Sequence, residues 1–153
     1  MAYHNFKTKA LFLKKSQQKE ADFLFTLYTK EFGKIKVQGK AIRKTNAKLQ
    51  SASQLFYLAE VEFIEGKVGK ILTDALLLKK FNFIYQNEVK FLTALEIAEM
   101  IDKAFPLEQK DATAWDVVLT TFYLLNQAEN TNKQTLTKIF SDFSKKLSLC
   151  LGC

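Results

Sequence analysis

Between Lys34 and Lys48 the chain carries Lys34, Lys36, Lys40, Arg43, Lys44 and Lys48 with no acidic residue among them. Cations spaced this way suit a polyanion, because each phosphate they neutralise releases condensed counterions. Upstream, Lys14 and Lys15 add an adjacent pair of charges, expected as outer contributors to the same surface. The competing reading is a solvated basic loop, and charge alone does not separate the two. Arg43 is the sole arginine, so the grip would come mostly from lysine point charges rather than from bidentate guanidinium contacts.

Other chemistry has little to build on. His4 is the only histidine, so a nucleophile–base pair with histidine as the base would have to form at the N-terminus. Neither a GxxxxGK[ST] nor a GxGxxG motif is present to cradle a nucleotide phosphate. The expectation is a non-enzymatic protein. Cys150 and Cys153 form a CxxC. Two thiolates this close can be a zinc half-site, a redox pair or an incidental pair, and the spacing favours none of them.

The elements that must position the basic residues follow from the apolar pattern. Lys34, Lys36 and Gln38 alternate with Ile35 and Val37, the period of a strand with lysines on one face. Thr8–Leu13, Asp22–Thr29, Gln54–Ile64 and Ile71–Leu78 also read as strands. Polar residues 14–20 are expected as a turn, residues 65–70 as a hairpin loop, and Ala47–Ser51 as a helical turn. In the second strand Phe23, Phe25 and Leu27 share one side and Leu24, Thr26 and Tyr28 the other. That leaves Tyr28, like Phe12, open to a core or a base-stacking role. Five short strands with turns between them predict a small barrel.

Beyond residue 80 the period changes. Phe91, Leu95, Ala98, Ile101 and Phe105 recur at three and four, ahead of Pro106. Trp115, Val118, Leu119, Phe122 and Leu125 form a second such stripe, with Thr113 and Asp116 as cap and partner; Leu136, Ile139, Phe140, Phe143 and Leu147 form a third, after Thr131 and Gln134. The fold class is therefore α+β, with a five-stranded barrel over 1–80 followed by a small helical domain over 81–153.

Charge follows the same division. The net charge is +7. Residues 1–50 hold 12 Lys and Arg against 3 acids, a balance of +9, and the remainder holds 11 against 13, or −2. No apolar run approaches the length of a secretory signal or a bilayer span, so a cytoplasmic protein without membrane contact is expected.

The order of features resembles the RecO family of bacterial recombination mediators. The residues that carry the likeness are Glu20-Ala-Asp22, Tyr28-Thr-Lys-Glu-Phe-Gly33, Lys36-Val-Gln-Gly-Lys-Ala-Ile-Arg-Lys44 and Gln54-Leu-Phe-Tyr-Leu-Ala-Glu-Val-Glu62. The resemblance implies an N-terminal OB-fold, a helical region and a zinc module, whose first half Cys150 and Cys153 would match. It implies binding of single- and double-stranded DNA, strand annealing, and work with RecR and the single-strand-binding protein in RecA loading. The rival expectations are a protein-interaction adaptor using the helical half and an RNA-binding OB module.

Overall fold

A computed structural model describes residues 4–19, 22–40, 47–129 and 132–151. Five strands come first: β1 (Asn5–Lys19), β2 (Asp22–Thr29), β3 (Gly33–Gly39), β4 (Leu58–Gly66) and β5 (Gly69–Lys79), with helix α1 (Ala47–Ala52) between β3 and β4. They close into a barrel in the order β1-β2-β3-β5-β4. All pairings are antiparallel except β3 with β5, where Val37 faces Lys70 and Gln38 faces Ile71. This is a five-stranded OB-fold, and the class is α+β, as the sequence pattern predicts.

Alternation fills the barrel. Phe12, Phe23, Phe25, Leu27, Ile35, Val37, Ala59, Val61 and Phe63 form one buried cluster, joined by Leu49 and Ala52 of α1. Phe6, Phe32 and Phe63 close part of it, with ring centroids 5.3–5.6 Å apart in stacked and edge-on pairs. Phe12 and Tyr28 are 1% and 0% exposed, so both are packed inside rather than offered to a base.

Several local expectations shift. Residues 14–19 are strand, not turn: β1 runs to Lys19 and pairs with β2 along Lys14–Thr26, Lys15–Phe25, Ser16–Leu24 and Gln17–Phe23. Polar side chains there decorate a ladder that local composition reads as a loop. β4 begins at Leu58 rather than Gln54, because Phe56 takes a φ of 64° and its N–H donates to Phe12 O.

The helices are α2 (Asn82–Gln86), α3 (Glu88–Ala104), α4 (Ala112–Gln127) and α5 (Lys133–Cys150). α2, five residues long, has too little sequence to show a period. α4 is capped by Asp111, whose side chain accepts from Ala114 N, so it starts ahead of Thr113. α5 is capped by Asn132, which accepts from Thr135 N; Thr131 lies outside the described residues. Phe105 lies just past the end of α3, at the end of its apolar stripe.

The chain divides into two compact units, residues 1–80 with 105–110, and 81–104 with 111–153. In the first unit, Phe105–Lys110 lies on the barrel. Phe105 packs on Tyr28 at a ring distance of 5.3 Å, Leu107 bridges to Lys34, and Lys110 Nζ pairs with Glu31 at 3.0 Å. In the second unit the core holds Ile84, Ile97, Ile101, Trp115, Val118, Phe122, Leu136 and Phe143.

Candidate nucleic-acid interface

The outward pleat of β1, β2 and β3 brings the first basic residues together. Thr26 faces Lys14 on one side and Lys36 on the other, and it alternates with the core residues Phe25 and Leu27. Lys14, Thr26 and Lys36 therefore make one row across three strands, with the two lysine backbones about 10 Å apart. Lys36 is exposed and Lys14 half-buried. The next row toward the β1–β2 connection is Ser16, Leu24 and Gln38.

Lys34 shares the pleat of Lys36 but not its exposure. It is 8% exposed, its carbonyl accepts from Glu108 N at 2.8 Å, and it bridges to Leu107. The 105–110 segment covers that end of β3, so Lys36 rather than Lys34 carries the charge of this strand to solvent. Lys15 departs in the other direction. It faces Phe25 in register and its ammonium lies 4.4 Å from the Phe23 ring centroid, so it takes the inward pleat and covers the barrel core.

Lys40 is exposed and lines two adjoining grooves. One, of about 440 Å³, runs between the end of β1 and the β4–β5 connection along Gln18, Lys19, Asp22, Phe23, Leu24, Gln38 and Val68. The other, of about 280 Å³, passes Gln38, Ile64, Lys67 and Val68. Gln38 Nε2 donates to Val68 O at 3.2 Å, tying the β4–β5 hairpin tip to β3. Lys19 and Lys67 thus stand beside Lys40 on the candidate surface, which the spacing argument missed. Each stands alone in a hairpin, and only the barrel topology brings them to Lys40.

Lys48 is on α1 and pairs with Asp74 at 3.3 Å, a contact between mostly exposed groups. Arg43 and Lys44 lie outside the described residues. Lys70 is not part of the exposed set: its ammonium sits 3.1 Å from Glu65 and 2.9 Å from Glu108, with its side chain 15% exposed. Burial draws its pKa down, but hydrogen bonds and charge from Glu108 and Glu65 outweigh that and hold it above the ordinary lysine value.

Cys150 is half-buried at the last residue of α5, and Cys153 lies outside the described residues. Burial and then the charge of Asp111 push the Cys150 thiol up. No group of three or more His, Cys, Asp or Glu among the described residues could hold a metal ion. No helix among them is long and apolar enough to cross a membrane.

The chain is similar in sequence to known proteins. The chain is 28% identical over 152 residues to the DNA repair protein RecO of Heliobacterium modesticaldum, covering 97% of this chain and 55% of that one. It is 28% identical over 158 residues to the DNA repair protein RecO of Dehalococcoides mccartyi, covering 98% and 61%. With the protein of the same name from Caldanaerobacter subterraneus it shares 29% over 143 residues, covering 94% and 57%. The chain thus spans little more than half the length of these curated relatives. Residues 1–81, the barrel, match the family described as recombination protein O N terminal, and on that match the chain belongs to the RecO family.

Proposed function

We propose that this chain binds DNA through its barrel and serves DNA repair and recombination as a mediator rather than as an enzyme. The observation that carries the reading is the excess of cations on one side of the barrel: the Lys14–Thr26–Lys36 row and, past the uncharged row of Ser16, Leu24 and Gln38, the grooves where Lys40 stands with Lys19 and Lys67 against the one acid among the described lining residues, Asp22. Strands 2 and 3 and the loops flanking them are where OB-folds take oligonucleotides. The relatives' name, DNA repair protein RecO, supports the choice of DNA. Arg43, Lys44 and Lys48 extend the surface in this proposal, with residues 1–80 as the DNA-binding part and 81–153 as a helical domain.

With Arg43 as its one guanidinium, a surface of lysine point charges holds phosphate more than it reads bases. Phe12, Phe23, Phe25, Phe63 and Tyr28 are all buried, so the described barrel face supplies little for base stacking. Single and double strands are then both bound through phosphate. Annealing, and RecA loading with RecR and the single-strand-binding protein, are the finer steps proposed from the family.

Fluorescence anisotropy with short single- and double-stranded oligonucleotides across a salt series tests the reading. Affinity falling linearly on a log–log plot, equally for unrelated sequences, is expected. Absence of salt-dependent binding would favour the adaptor reading, and preference for RNA in competition would favour the RNA-binding one.

A further inference from the structure

The helical unit contains a lysine that the DNA-binding reading does not use. Lys90, in the first turn of α3, is 4% exposed. Its Nζ donates to Asn126 O at 3.0 Å, and no described carboxylate forms an ion pair with it. An ammonium carries three donors, so this bond uses one. A buried cation without a counter-charge is costly, and burial accordingly draws the Lys90 pKa below the ordinary lysine value.

Lys90 also lines a pocket of about 570 Å³, within the range of small-ligand sites. The start of α3, a helix of 17 residues, faces the same space: Asn87 lines it and its side chain accepts from Lys90 N at 3.0 Å. A helix start adds positive potential, which the exposed Glu88 in the same turn partly offsets. Phe83, 58% exposed, forms an apolar wall, with its ring centroid 5.9 Å from the ammonium. The amides of Gln86 and Gln127 line the remainder, and the carboxylate among the described lining residues, Glu129, is exposed.

We propose that this pocket binds a small carboxylate carrying an apolar body, its oxygens accepting the ammonium protons of Lys90 that Asn126 leaves unused. The carboxylate supplies the missing charge, and the apolar body lies against Phe83. A purely structural lysine, closing the last turn of α4 through Asn126 O, would explain one proton and not the cavity beside it.

NMR of lysine-labelled full chain with benzoate, acetate and inorganic phosphate at matched ionic strength tests this. Benzoate should shift the Lys90 side-chain resonances saturably and raise the pH at which they titrate. Acetate should do so more weakly and phosphate least. Lys90→Met should weaken benzoate binding at least tenfold. Gln127→Leu, at an exposed position, should weaken it several-fold, and it remains informative if the Met variant does not fold. Resonances unmoved by benzoate, tighter binding of phosphate, or unchanged affinity in Lys90→Met would each overturn the proposal.

Discussion

Lys14 and Lys36 stand in one cross-strand row, each directly opposite Thr26. They are 22 positions apart in the chain, yet the barrel presents them as a pair on its outer face. Lys15, next to Lys14 in sequence, turns instead onto Phe23. Adjacent lysines thus do different work.

Charge reversal separates those roles. Lys36→Glu with Lys40→Glu should weaken DNA binding for all sequences alike and flatten the salt slope by about two, near 0.9 for each phosphate that is no longer neutralised. Lys15→Glu should leave the slope unchanged and instead cost about 0.5–1 kcal/mol of stability, because its ammonium no longer covers the Phe23 ring. Salt-dependent anisotropy and urea unfolding read the two effects separately. A slope unchanged in the folded Lys36/Lys40 double variant would remove those residues from the interface.

How much of this was legible in the sequence depends on the distance over which it is decided. Ile35 and Val37 alternate with Lys36 within one strand, so β3 and its exposed cation could be read locally. The burial of Lys34 could not, because Leu107 and Glu108, which cover it, lie more than seventy residues away. Lys19 and Lys67 were invisible for the same reason. α2 is decided by Asn126, whose Oδ1 accepts from Phe83 N and Ile84 N.

Asn126 gives a second prediction. It is 4% exposed and satisfies both of those backbone donors while its carbonyl accepts from Lys90. Asn126→Ala leaves Phe83 N without this acceptor, while Ile84 N keeps Phe81 O at 3.1 Å, and it should destabilise the helical unit by about 1–3 kcal/mol. Hydrogen exchange at Phe83 and Ile84 should accelerate more than at the β2 amides. Equal protection in wild type and variant would show that the side chain is dispensable.

Gly33 is a third. It has φ +68°, and a Cβ there would run into the backbone carbonyl of Gln109. Gly33→Ala combines left-handed strain with a clash against main chain that has little room to give, and about 2–4 kcal/mol of lost stability is expected. Thermal unfolding checks it; a variant as stable as wild type would mean that the 105–110 segment shifts freely.

The two shifted lysines make opposite demands at alkaline pH. Lys70 is held above its unfolded value of 10.5, so its stabilisation is complete below 10.5 and is lost as pH rises through the higher folded value. Lys90 is held below the same value, so its charging cost eases and stability grows as pH rises through its folded pKa toward 10.5. Glu65→Gln with Glu108→Gln should lower stability at pH 8 and lose that deficit as pH rises above 10.5. Lys90→Met should flatten the rise below 10.5. Unfolding free energies over this range that run parallel in all three proteins would contradict the assignments.

The 105–110 segment also has a consequence for the timing of folding during synthesis. Leu107 follows the end of β5 by 28 residues, so a chain that ends at β5 carries the whole strand order while Tyr28 and the outward side of β3 lack their cover. The first unit in space is finished only after α3 has been translated. A chain truncated near residue 80 is therefore expected to expose apolar surface that the longer chain hides, and that surface is where a chaperone would hold it.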